Sequence, residues 1–223
     1  MADDRAMPFL GVLMLQTRFP RLPGDVGHPA TFTMPVRRCI VAGATPQRVV
    51  RDADPALLAP FIAAGRGLVA QGAAAITTSC GFLARWQREL QAALPVPVWT
   101  SSLLALPALP RPGVITVDAA ALDAAVLRGA GADPATPVQG LDPASALVHT
   151  LLEDRERLDV AAAEATVLAA AAALLAREPG LRSLVLECTN LPPYAQALQR
   201  ATGLPVHHLP GLVHERWASR AAR

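Results

Sequence analysis

Ala75-Ile76-Thr77-Thr78-Ser79-Cys80-Gly81 has a counterpart in Leu184-Val185-Leu186-Glu187-Cys188-Thr189, with the two cysteines 108 positions apart (80 to 188). Each stretch is a short run of strand-type residues that stops at a cysteine and gives way to a helical pattern. The same alternation continues outward in both directions. Strands are expected at Phe9–Leu15, Val36–Ala42, Ala74–Thr78, Val96–Trp99, Val114–Val117, Pro137–Leu141, Leu184–Glu187 and Val206–Leu209. Helices are expected within Pro55–Ala70, Leu83–Ala93, Ala119–Gly129, Ala144–Arg177, Pro193–Thr202 and Leu212–Arg220. This order predicts an α/β fold with mostly parallel sheets.

Other landmarks repeat in the same order. Gly11-Val12-Leu13 returns as Gly113-Val114-Ile115 and Pro35-Val36 as Pro137-Val138, each 102 residues on (11 to 113, 35 to 137). Pro97-Val98 returns as Pro205-Val206, 108 residues on (97 to 205). Ordered offsets of this kind indicate two copies of one four-strand unit, the second carrying a longer helical region. Two pseudo-symmetric lobes follow, 1–106 and 107–223, joined through the proline-rich linker Leu103–Pro112. The C-terminal tail is expected to pack back on the first lobe, and the active site is expected between the lobes.

Composition excludes several chemistries. The chain has 223 residues, 52% of them hydrophobic and 17% charged, with a formal net charge of +2. That is the profile of a folded chain with a sizeable core. All 20 basic residues are arginine. The absence of lysine removes Schiff-base pyridoxal chemistry and the Walker-type phosphate loop. With basic residues dispersed and aromatics at 4%, neither a nucleic-acid surface nor a membrane surface is expected. Val160–Ala176, built mostly from alanine and interrupted by Glu164, reads as too short and too weakly apolar to span a bilayer. Three cysteines, Cys39, Cys80 and Cys188, are too few for a disulfide framework. The acidic start Met1-Ala2-Asp3-Asp4-Arg5 is unlike a secretory signal. A cytoplasmic protein with reduced thiols is expected, with no metal and no cofactor. The pair His207-His208 points to opposite faces of a strand and makes a poor chelate.

Cys80 and Cys188 sit where strands end and helices begin, the edge at which open α/β sheets bind ligands. A thiol there lies at the positive end of the following helix, which favours thiolate. Across a pseudo-twofold the two would face one another, a geometry for two-base proton transfer at carbon. Cys39, inside its strand, reads as a small core hydrophobe.

These residues carry a resemblance. Thr77–Leu83 (TTSCGFL) and Leu186–Ala195 (LECTNLPPYA) resemble the two cysteine motifs of the aspartate/glutamate/hydantoin racemase superfamily. The resemblance implies a cofactor-independent racemase or epimerase of a small carboxylate such as an amino acid, with Cys80 and Cys188 flanking the substrate α-carbon. It further implies that backbone amides and hydroxyls after the cysteines, Gly81 and Phe82 on one side and Thr189 and Asn190 on the other, hold the carboxylate; Ser79 is a further substrate-binding candidate. The superfamily also includes arylmalonate decarboxylases and maleate isomerases, which are the alternatives within enzymology. A non-catalytic metabolite-binding protein is the alternative outside it. Amino-acid racemases commonly carry Asn-Thr where this chain has Gly81-Phe82, which points to a less polar or bulkier substrate. Glutamate racemases carry Asp-Ser-Gly and a histidine where this chain has Leu15-Gln16-Thr17-Arg18 and Asn190, leaving the thiols without an acidic or imidazole helper. Gln16, Thr17, Arg18, Thr45 and Asp118 stand at other strand ends and are further substrate-binding candidates, Arg18 as a carboxylate clamp. A small-molecule carboxylate is the expected partner, with a homodimer as an open alternative.

Overall fold

The computed structural model describes residues 7–221, so the reading of Met1–Arg5 lies outside the described residues. Eight strands form two four-stranded parallel sheets. The first contains β1 (Phe9–Met14), β2 (Val36–Ile40), β3 (Ala73–Thr78) and β4 (Val98–Trp99), in the order β2-β1-β3-β4. The second contains β5 (Pro112–Thr116), β6 (Val138–Gly140), β7 (Ser183–Leu186) and β8 (Val206–His208), in the matching order β6-β5-β7-β8. The central strands β1 and β7 are buried along their whole length. Their uninterrupted apolar runs are therefore those of parallel strands covered on both faces.

The register carries the internal repeat down to single hydrogen bonds. Ser79 N–H donates to the Leu13 carbonyl and Glu187 N–H to that of Ile115, both at 2.9 Å. Ile76 and Leu184 N–H donate to Pro97 and Pro205. Gly11 and Gly113 play one role: a Cβ on either would press on a leucine of the covering helix, Leu68 in α1 (Leu58–Ala70) or Leu174 in α5 (Val160–Arg177), at 3.0 Å. The proline landmarks are displaced. Pro35 accepts from Leu10, but Pro137 accepts from Val114. The residue 102 after Leu10 is Pro112, which has no N–H to give, so the bond falls two residues further on.

The remaining helices are α2 (Gln87–Ala93), α3 (Ala124–Gly129), α4 (Ala146–Leu152), α6 (Ala195–Thr202) and α7 (Leu209–Ala221). Two departures from expectation matter for the site. The long pattern within Ala144–Arg177 is two helices, because Asp154 takes a left-handed backbone (φ +57°) and Asp159 caps a new start through Ala162 N–H. The connection Leu103–Pro112 is not an open linker, since Ser102–Ala108 forms a 3-10 helix capped by Ser101. The α5 helix is long and apolar enough by composition to cross a membrane, against the sequence reading. Here it buries Ala163, Val167, Ala170, Ala171 and Leu174 as a flanking helix of the second lobe. On the first sheet, Leu209 and Val213 of α7 join Leu10, Val12, Met14, Ala75 and Trp99 in a separate apolar cluster.

Candidate active site

Both cysteine turns reach the same place. Cys80 follows β3 in an extended conformation (φ −152°, ψ 119°) and precedes a 3-10 helix, Gly81–Trp86. Cys188 follows β7 and precedes a shorter 3-10 helix, Pro192–Tyr194. Each thiol is 7% exposed. Main-chain N–H groups two residues on, at Phe82 and Asn190, point to the sulfurs.

The resting thiols are neutral. Burial, and next to it the carboxyl of Glu187, pushes Cys80 up to about 12. The same two causes, in the same order, hold Cys188 well above the ordinary thiol range. This corrects the expectation of thiols poised as thiolates by a following helix. The segments after both cysteines begin as short 3-10 turns, and their partial positive charge is outweighed by desolvation.

Between the turns lies a cavity of about 30 Å³, room for no more than about two waters. Ser79, Cys80, Gly81, Phe82, Cys188, Thr189 and Asn190 contribute to its wall, so these sequence candidates come together. The rest is apolar: Leu15, Phe19, Pro46 and Val50 from the first lobe, and Val117, Leu151 and Leu152 from the second. The other candidates do not line it. Gln16 accepts from Gly43 N–H at 2.9 Å, and Thr17 from Arg21 at 2.9 Å. Thr45 accepts from Arg48 N–H at 3.3 Å. Asp118 caps Ala120 and Ala121. Arg18 is no clamp for a substrate: its side chain is 68% exposed and paired with Asp154 at 3.2 Å. Cys39 is half-buried on β2, apart from the cavity.

Several bonds cross from lobe to lobe around the thiols. Thr189 Oγ1 donates to the Ser79 carbonyl at 2.6 Å, and Ser102 Oγ to that of Leu186 at 2.7 Å. Asn190 accepts from Cys188 through Oδ1 at 3.5 Å and donates through Nδ2 to buried Asp25. Asp25 is in turn paired with Arg21 at 2.8 Å. Further out, one Asp154 oxygen accepts from Arg18 N–H at 2.6 Å and Phe19 N–H at 3.2 Å.

Sequence reasoning missed Asp25 and the apolar wall, and gave Glu187 no role beyond pointing away from Cys188 by strand alternation. Glu187 lies fully buried against Gly81 and accepts from Thr116. An acid between the apolar run Leu184–Leu186 and Cys188 was the signal for it. Asp25, in a long irregular segment, gave none. Among the described residues, no group of three or more His, Cys, Asp or Glu could hold a metal.

No family model matches the chain. It is 30% identical over 212 residues to a dimethylsulfoniopropionate lyase of Durusdinium sp. clade D, covering 89% of this chain and 70% of that protein. It is also 30% identical over 233 residues to dimethylsulfoniopropionate lyase 7 of Emiliania huxleyi, covering 92% and 67%. The chain belongs to this lyase family. It spans as little as 44% of another member, dimethylsulfoniopropionate lyase 5. Among solved structures, allantoin racemase from Klebsiella pneumoniae shares the fold at a TM-score of 0.66 and 15% identity, over 95% of this chain and 88% of that one. Unliganded arylmalonate decarboxylase follows at 0.57 and 18%, over 90% and 86%. The fold is the one shared by aspartate racemase homologues, arylmalonate decarboxylase and allantoin racemase, as the two cysteine motifs led one to expect. The expected racemase activity, and with it the isomerase class, is overturned: the curated relatives are lyases.

Proposed function

We propose that this chain is a lyase that expels a neutral sulfide from a small zwitterion of the dimethylsulfoniopropionate type. The observation that carries the reading is a pair of thiols in one apolar cavity whose wall contains no other ionisable side chain. A thiolate, from Cys80 or Cys188, takes the proton from the carbon beside the carboxylate. The C–H electron pair becomes the new C=C bond while the C–S bond breaks. The products are dimethyl sulfide and acrylate, and the proton left on the thiol returns to water.

Three physical features support this. Elimination of a neutral sulfide needs one base and no acid for the leaving group. A thiol whose burial raises it to about 12 is, once ionised, a strong base suited to a weakly acidic C–H. A wall without Lys, Arg, Asp or Glu suits a substrate with no net charge, whereas a dicarboxylate would require a buried cation. The carboxylate is assigned to the main-chain N–H groups of Gly81 and Thr189, and the dimethylsulfonio group to the face of Phe82, where a cation is attracted. Incubation with dimethylsulfoniopropionate, with headspace chromatography for the sulfide and proton NMR for vinyl signals, is expected to give both products in equal amounts. Absence of sulfide, or equal release by Cys80→Ser and Cys188→Ser, would defeat the reading.

A further inference from the structure

Glu187 is a fully buried carboxyl that the elimination does not use. Its Oε2 accepts from Thr116 Oγ1 at 2.7 Å, while Oε1 has no hydrogen-bond partner. It precedes Cys188 by one residue. Its carboxyl also packs on Gly81, the residue after Cys80, so closely that a Cβ there would overlap both Oε1 and the Glu187 carbonyl. One unbalanced carboxyl therefore touches both cysteine turns, one from each lobe.

We propose that Glu187 governs the ionisation of both thiols, its carboxyl competing with Cys80 and Cys188 for the one negative charge that this buried cluster holds. Thiolate then forms only in the fraction of molecules in which Glu187 is protonated. Two like charges at this separation, with no cation between them, are mutually excluded. The groups around Glu187 are few. Thr116 on β5 is a neutral donor, and Ser102 spends its hydroxyl on the Leu186 carbonyl. From the 3-10 helix behind Gly81, Arg85 acts on Cys80 but is paired with Asp123 at 3.5 Å. Arg21 acts on Cys80 and Asp25 on Cys188, and these two are paired with each other. Burial lifts the Glu187 carboxyl to about 8, the Thr116 bond pulling the other way.

The sign follows from this competition. Below about pH 8, Glu187 is neutral and thiolate rises about tenfold per pH unit. Above it, the charge settles on Glu187 and the rise flattens. The inference rests on Cys80 and Cys188 being the reacting groups, but its test needs no turnover. Iodoacetamide alkylation of each cysteine, followed by peptide mass spectrometry from about pH 6 to about pH 9.5, reports thiolate through the shape of its pH profile, the opening that admits the reagent scaling every point alike. The wild-type profile should bend near pH 8, and Glu187→Gln should continue upward, alkylating about thirtyfold faster at the alkaline end. Thr116→Val keeps the carboxyl but removes the bond that favours its charge, so its bend should move to higher pH. A Glu187→Gln profile of wild-type shape overturns the proposal. If that variant does not fold, an unmoved bend in Thr116→Val does the same. The profile is read without substrate, so failure to release sulfide would defeat the lyase reading and leave this one standing.

Discussion

The cavity over the thiols is far too small for a substrate, so the lobes or the roof must part, and the Asp154 clasp is where parting should begin. Asp154 reaches from the break between α4 and α5 to the main chain of Arg18 and Phe19. Phe19 on one side and Leu151 and Leu152 on the other line the cavity, so the clasp ties together two segments of its wall that come from different lobes. Its ion pair with Arg18 counts for little, because that guanidinium is largely solvated. The two N–H bonds to a carboxylate that is 22% exposed are worth about 1–2 kcal/mol together after exchange with water. Loss of that much raises the open fraction by about 5–30-fold. The substitution should be Asp154→Gly rather than Ala, because alanine at a positive φ adds about 1–2 kcal/mol of backbone strain of its own. Asp154→Asn, which tolerates the same backbone and keeps one acceptor, should fall between. Alkylation of Cys80 and Cys188 at a single pH near neutral is the assay, with circular dichroism confirming the fold. Rates for Asp154→Gly within twofold of wild type would refute the idea that the site opens through this contact.

Other expectations are briefer. Replacing the cysteine that takes the proton with serine should lower sulfide release by about 10²–10⁴-fold, the other by less, and Cys39→Ser should leave it unchanged; both Cys80→Ser and Cys188→Ser within tenfold of wild type would contradict this. Gly81→Ala should destabilise by about 1–3 kcal/mol through overpacking on Glu187, read as a lower urea midpoint at unchanged slope. Glu187 is raised in the folded chain to about 8 from 4.5, so the folded state binds the extra proton and stability should fall as pH rises between those values. Urea midpoints measured across that window should decline in wild type and decline less in Glu187→Gln.

Much of the fold was legible because parallel strands here are short apolar runs closed by proline, glycine or a polar strand end, and because the chain states them twice. All eight strands lie where the pattern put them. The site was legible only where it is built from sequence-adjacent residues: Ser79 to Phe82 and Cys188 to Asn190 line one cavity. Gln16, Thr17, Thr45 and Asp118 also stand at strand ends, but their side chains serve turns and caps, which local spacing cannot distinguish from ligand contacts. Leu151 and Leu152, at the end of α4, line the cavity where the helical pattern breaks before the left-handed Asp154. The chemistry was misread for a plainer reason. Two opposed thiols suit removal of an α-proton whatever follows, and whether the carbanion is reprotonated or sheds a leaving group depends on the substrate, which the chain does not encode.

The α7 helix has a consequence for the chain as a whole. It is the last element of the second repeat, yet Leu209 and Val213 pack on Leu10, Val12 and Trp99, a sheet face belonging to the first. A duplicated unit would ordinarily leave two modules able to part company. Here the first module is finished by the tail of the second, so the first sheet does not cover this face from within its own lobe. The repeat is a symmetry of strand order and not a seam: cutting between the two halves would strand an uncovered apolar sheet face on one fragment and an orphaned helix on the other.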